Sequence, residues 1–212
     1  MSGHRPRIQV FARAPVAGRT KRRLIPALGE AGAADLHATL LRRTVAAVGG
    51  VAGTDRELWC HPDAGHPLFA ACAAEQGLAL RVQSGADLGA RMAGALETAL
   101  TEGAPAAVLV GSDCPGLTAD VLSSALAALE AGADAVLGPA EDGGYYLIRP
   151  RRPAPALFQG IPWGGPEVAA ATRARAIEAG LRMEEMATLR DIDTPADLAA
   201  FPDLVETPGR VS

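Results

Sequence analysis

The sequence has only three cysteines, Cys60, Cys72 and Cys114, with no CxxC pair among them. That count argues against a disulfide scaffold and a structural zinc site, and it suits a reducing cytoplasm. No apolar run approaches the roughly 18 residues of a membrane span, and the opening "MSGHRPRIQVFARAP" breaks too early for a signal peptide. There is no excess of basic charge either: 20 Lys and Arg face 24 Asp and Glu, a net −4. Nucleic acid and anionic membranes are therefore not expected as main partners. The GxxxxGK[ST] and GxGxxG phosphate loops are both missing. None of the four histidines lies in a motif, so His4, His37, His61 and His66 read as surface or capping residues.

What is present is a globular composition, 49% hydrophobic and 21% charged. The reading is one domain over residues 1–212, with a core from about 7 to 201 and a tail over 202–212. Short apolar runs alternate with helical stretches. Strands are expected at 7–13, 57–60, 78–83, 106–111 and 134–138, and helices at 30–48, 66–77 and 87–100. In the last of these helices Leu88, Met92 and Leu96 form one stripe. Thr118 reads as the N-cap of a helix that closes at Gly132. The β–α–β rhythm implies right-handed crossovers and helices on both faces of a parallel sheet. The run 106–111 is too apolar for a wet face, so it belongs at the centre. After Gly138 the rhythm breaks. "EDGGYYLIRP" (141–150) reads as a tight turn feeding a strand, followed by a helix over about 166–178. "RMEEMATLRDIDTP" then returns a strand to the sheet and enters a short helix capped by Thr194.

Against this frame, "VLVGSDCPGL" (108–117) ends a buried strand on Asp113. In open α/β sheets ligands sit outside the carboxyl ends of the strands. Magnesium needs only one or two carboxylates besides phosphate oxygens and water, so Asp113 suits metal or ribose better than a mere turn. Asp197 reads as half of a capping box. Asp193 has no such duty and is the better second ligand. Asp142 precedes two glycines that permit close backbone approach, although a plain hairpin explains them equally well. "RAPVAGRTKRRL" (13–24) crowds Arg13, Arg19, Lys21, Arg22 and Arg23 into one loop beside the same edge. Arginine forks match phosphate oxygens in pairs. Cys114 has no neighbouring base and reads as packing.

The segments "FARAPVAGRTKRRLIPALG", "GADLGARM", "GSDCPGL", "LGPAEDGGYYLI" and "DIDTPADL" together resemble GT-A-type nucleotide-diphospho-sugar transferases. They are most similar to a poorly characterised bacterial family of predicted glycosyltransferases. Guanylyltransferases for the molybdenum cofactor and for phospholactate are related. The resemblance covers about Arg7 to Phe201. It implies a three-layer α/β/α, Rossmann-like (GT-A) fold with a mainly parallel mixed sheet, and dependence on Mg²⁺ or Mn²⁺. By resemblance, nucleotide and phosphate contacts fall to Arg13, Gly18, Arg19, Lys21, Arg23, Asp87 and Ser112. Gly143, Gly144, Tyr145 and Trp163 fall on the acceptor side. Asp113 and Asp193 are the metal ligands, with Asp191 as substitute, and Asp142, Asp113 and Lys21 are the catalytic group. The chain departs from the family at Arg13, where Lys is usual, at Arg22, where Thr is usual, and at Gly164 and Gly165, where Ser-Thr follows the tryptophan.

Three functions fit. One is glycosyl transfer from a nucleotide-sugar to a small acceptor. The second is nucleotidyl transfer from a nucleoside triphosphate, which the density of the basic loop favours. The third is a nucleotide-binding module without turnover. Glycosyl transfer is the expected activity, and a homodimer is compatible with it.

Overall fold

The computed structural model describes residues 4–129 and 132–204. Residues 130 and 131, just before the Gly132 at which a helix is expected to close, and most of the tail, 205–212, lie outside the described residues.

Among the described residues seven strands form one sheet: β1 (Arg7–Arg13), β2 (Asp55–His61), β3 (Ala79–Val82), β4 (Ala107–Val110), β5 (Ala135–Pro139), β6 (Tyr145–Pro150) and β7 (Met183–Glu185). Their order is β3-β2-β1-β4-β6-β5-β7. All pairings are parallel except those of β6, which runs antiparallel to both β4 and β5. β4 is wholly buried at the centre, as its composition requires. One of its neighbours is antiparallel because the Gly-Gly turn folds β6 straight back from β5 as a hairpin.

Among the described residues six α-helices complete the fold: α1 (Ile25–Gly49), α2 (Pro67–Gln76), α3 (Leu88–Thr101), α4 (Ala119–Ala128), α5 (Val168–Glu178) and α6 (Pro195–Leu198). Alternation along each strand sends successive side chains to opposite faces. Ile8, Val10, Leu58, Cys60, Val108 and Val110 meet Leu41, Val45, Phe69 and Leu122 from α1, α2 and α4. Phe11, Trp59, Leu109 and Ile148 meet Met92, Leu96, Ala169 and Ala176 from α3 and α5. The result is three layers, α/β/α.

α1 begins five residues before the expected position, kinked at Gly29, whose φ of 72° and ψ of 171° are non-helical. Thr118 caps α4 by accepting from the Val121 amide. Thr194 and Asp197 form the anticipated capping box on α6. Leu88 departs from its expected stripe: it is 41% exposed at the first turn of α3.

From β1 the chain runs outward through β2 and β3, then crosses back to β4 on the other side of β1. Connections therefore diverge between β1 and β4, and a crevice must open at their carboxyl ends.

Candidate functional site

A cleft of about 530 Å³ opens at that point. Its lining joins the ends of β1, β2 and β4 to the β5–β6 hairpin, the Trp163 turn and the segment before α6.

Three chain segments are tied together there. The loop after β1 is closed on itself by Thr20, whose hydroxyl accepts from the Val16 amide and donates to the Ala14 carbonyl. The next residue, Lys21, has a left-handed backbone (φ 48°, ψ 45°), uniquely for a non-glycine among the described residues. Such a conformation persists only where surrounding contacts hold it. Those contacts exist: the buried ammonium donates to the Ile192 carbonyl and lies 2.9 Å from Asp113 Oδ1 and 3.8 Å from Asp193 Oδ1. Ile192 is fully buried against Leu24, Leu36 and Leu40, and its amide donates to the Asp113 carbonyl. With Ile192 pointing inward, Asp191 and Asp193 flank it and line the cleft.

Asp113 has two different sides. Oδ1 is shut from solvent, facing Lys21 and also His37 Nδ1 at 3.6 Å. The side chain as a whole is 47% exposed, so the other carboxylate oxygen faces the cleft. Burial pushes this carboxyl up, but the Lys21 ammonium and the His37 imidazole outweigh it and hold it well below the usual carboxylate range. His37 corrects the sequence reading of a surface or capping residue. It is buried on α1, with Nε2 bonded to the Arg13 carbonyl, and so joins the basic loop to Asp113. His66 does cap α2, accepting from the Leu68 amide.

Asp191 behaves oppositely. Its carboxyl is pushed up to about 6, by burial first and then by the charge of Asp142. Asp193 is engaged by Arg23 at 2.9 Å. Asp142 uses Oδ1 to accept from the Gly144 amide at 2.8 Å, the duty of a turn residue, and still lines the cleft. Among the described residues no group of three or more His, Cys, Asp or Glu side chains is gathered to hold a metal. A cation here would need phosphate or water oxygens besides the carboxylates.

Of the other anticipated contacts, Arg13, Arg23, Ser112, Gly144, Tyr145 and Trp163 line the cleft. Tyr145 and Trp163 meet edge to face, with ring centroids 6.4 Å apart. Gly18 (φ 74°) and Arg19 are not part of the lining. Asp87 is not either: it caps α3, accepting from the Ala90 amide at 2.7 Å. Gly143 leaves no space for a ligand, because a Cβ there would stand 1.9 Å from the Pro166 carbonyl oxygen. Cys114 is buried and its thiol is pushed up, chiefly by burial, which agrees with packing. Gln83 and Arg91 line the cleft without having been singled out, and His61, read as a surface or capping residue, and Leu88, read as part of the apolar stripe, line it too. The described helices include none long and apolar enough to cross a membrane.

A family of uncharacterized proteins conserved in bacteria (DUF2064) matches residues 44–165. No curated protein matches the chain. A crystal structure from Desulfovibrio desulfuricans G20, provisionally assigned as a nucleotide-diphospho-sugar transferase, is 30% identical. It superposes with a TM-score of 0.84 over 99% of this chain and 91% of that one. The 4-diphosphocytidyl-2C-methyl-D-erythritol synthase of Anaerococcus prevotii is 11% identical, with a TM-score of 0.61 over 95% and 97% of the two chains. The Rv0371C protein of Mycobacterium tuberculosis H37Rv, solved with manganese, is 17% identical, with a TM-score of 0.51 over 97% and 100%. At these last two identities only the fold is shared.

Proposed function

The chain belongs to this bacterial family, and from that membership and the cleft's geometry we propose that it is a nucleotide-linked transferase, moving a sugar from a nucleotide-diphospho-sugar to a small acceptor. The charge balance of the cleft carries the reading. Three guanidiniums (Arg13, Arg23 and Arg91) face four carboxylates (Asp113, Asp142, Asp191 and Asp193). Arg23 and Lys21 are already offset by Asp193 and Asp113. Such a site has too little free positive charge for a triphosphate, whereas an esterified diphosphate with one divalent cation suits it.

The residues fit that cation, Mg²⁺ or Mn²⁺. Asp113 turns one oxygen to the cleft, and the mutual repulsion of Asp191 and Asp142 is what a divalent charge would relieve. Asp113 and Asp191 would hold it, ahead of Asp193, which Arg23 occupies. When bound, it would offset the charge that builds on the departing diphosphate. Arg13 and Arg23 hold the phosphates in place. The second oxygen of Asp142 takes the proton of the acceptor hydroxyl as the hydroxyl oxygen bonds to the sugar carbon and the bond from that carbon to the diphosphate oxygen breaks. Tyr145 and Trp163 wall the acceptor side and keep water out.

Nucleotidyl transfer is the second reading. It is favoured by Arg19 and Arg22, which stand exposed on the same loop and make no ion pair among the described residues. The two separate on product. Incubation with Mg²⁺, a panel of nucleotide-diphospho-sugars and a mixture of small hydroxyl-bearing acceptors should release nucleoside diphosphate and glycosylated acceptor. Release of pyrophosphate from triphosphates plus sugar phosphates, with no turnover of the sugar donors, would overturn the proposal in favour of the second reading.

A further inference from the structure

The wall beyond Arg13 has hydrogen-bonding capacity that its own contacts fix. Register pairing brings Arg13 beside His61 at the ends of β1 and β2, and the Gln83 amide continues the ladder by donating to the Cys60 carbonyl. The Gln83 side-chain amide donates to the Trp59 and Ala12 carbonyls at 2.8 and 3.4 Å. Both NH₂ hydrogens are thereby used, and the amide orientation is fixed. Its Oε1 takes no hydrogen bond from the described residues and remains as a pure acceptor. Arg91 donates through Nε to the Gly85 carbonyl, and its Nη1 lies 3.2 Å from His61 Nδ1. A guanidinium has no acceptor, so His61 Nδ1 must accept, which leaves the ring neutral with its proton on Nε2. Burial, with the charges of Arg91 and Arg13, holds this imidazole below its usual value and agrees with the neutral form. Beside these groups, Leu88 offers the exposed apolar face of a large side chain inside the cleft.

Resting on the nucleotide-linked reading above, we infer that this wall selects a pyrimidine base. The wall supplies two donors, His61 Nε2–H and the Arg91 guanidinium, and one acceptor, Gln83 Oε1. Cytosine presents one donor and two acceptors along its pairing edge, and so does uracil. Guanine presents the reverse, two donors and one acceptor, and would leave one wall donor facing a donor of its own. Adenine presents one donor and one acceptor, which leaves one wall donor without a partner. A flat ring on Leu88 needs no aromatic platform. Well-formed base contacts each discriminate by roughly tenfold or more, and a buried group left unpaired sharpens the rejection.

Calorimetric titration of CDP, UDP, GDP and ADP with Mg²⁺ into the wild-type chain and Arg91→Ala tests this. Alanine suits the helix at position 91, so the variant should fold; its melting curve checks that. The wild type should bind CDP or UDP at least about tenfold more tightly than GDP, and Arg91→Ala should close much of that gap. CDP against UDP then identifies which pyrimidine is used. If GDP or ADP binds as tightly as the better-bound pyrimidine, the selectivity is wrong while the transferase reading stands. A gap unchanged in Arg91→Ala and in His61→Phe removes this wall as its source. If no nucleotide binds at all, the transferase reading falls and takes the inference with it.

Discussion

The Lys21 ammonium lies 2.9 Å from the inward oxygen of Asp113, so one ion pair ties the basic loop to the carboxyl end of the central strand. Lys21 is 4% exposed whereas Asp113 is 47% exposed, and this asymmetry sets what each substitution does. Lys21→Met should leave the inner oxygen of Asp113 and the Ile192 carbonyl without their cation. Breaking a fully buried pair costs about 3–5 kcal/mol; with one partner half in water, about 2 kcal/mol is expected. In a chain of this size that lowers Tm by roughly 4–8 °C. Differential scanning calorimetry measures it, and an unchanged Tm would contradict the structural part of the role.

Asp113→Asn should behave differently. An amide oxygen still accepts from Lys21, so Tm should move by no more than a few degrees while Mg²⁺-dependent activity disappears. A fall as large as that of Lys21→Met would make Asp113 a turn residue rather than a ligand-facing one.

Gly143→Ala should be among the most damaging single changes on the acceptor side. The φ of 87° disfavours any side chain, and the new Cβ would overlap the Pro166 carbonyl oxygen. Because the Gly143 carbonyl also accepts from the Ala169 amide, the hairpin and the start of α5 would be pushed apart. A loss of about 2 kcal/mol or more is expected. Gly144→Ala, with negative φ and only the Asp142 carboxylate close by, should cost less. Urea unfolding of the two variants ranks them, and the reverse order would contradict the packing described.

All three cysteines should resist modification in the native protein. Cys60 is pushed up to about 12, and Cys72 and Cys114 are also raised, in each case by burial first. At pH 8 the thiolate that reacts is therefore scarce. Ellman's reagent should react with none of them until denaturant is added, and then with all three. Rapid reaction of one thiol in the folded protein would overturn this reading and reopen Cys114 as a functional group.

Much of this was legible in the chain. The sheet strands read from their apolar runs, and Asp113 stood out because nothing in a buried strand calls for a carboxylate at its tip. Thr194 and Asp197 followed from the capping-box spacing. The misses share a cause, which is that spacing along the chain says little about pairing across it. Arg91 and His61 are 30 residues apart and Lys21 and Ile192 are 171 apart, so neither contact has a local signature. His37 did leave a trace. It sits among Leu36, Leu40, Leu41 and Thr44, and a polar ring on a buried helical face must have a partner. Leu88 satisfied the apolar period of α3 yet faces the cleft, because periodicity identifies a stripe and not what covers its first turn. Asp87 fell within a resembling motif, but its side chain is used by the helix cap.

The proposed acceptor wall gives a separate test. Trp163 meets Tyr145 edge to face and would crowd any Cβ placed on Gly89, so it closes the cleft over the first turn of α3. Trp163→Ala should raise the acceptor KM by about tenfold or more, while donor binding changes little. Steady-state kinetics with each substrate varied in turn separates the two. Equal losses on both sides would mean that the tryptophan supports the whole cleft.

The central claim is that the cleft holds a nucleotide-diphospho-sugar through Asp113 and a divalent cation. Calorimetric titration of one nucleotide-diphospho-sugar and its matching triphosphate, with and without Mg²⁺, into wild type and Asp113→Asn tests it most directly. The account predicts that the sugar nucleotide binds the wild type only with Mg²⁺, more tightly than the triphosphate does, and loses at least about tenfold in Asp113→Asn. Tighter triphosphate binding, or sugar-nucleotide binding indifferent to both Mg²⁺ and Asp113→Asn, would contradict it.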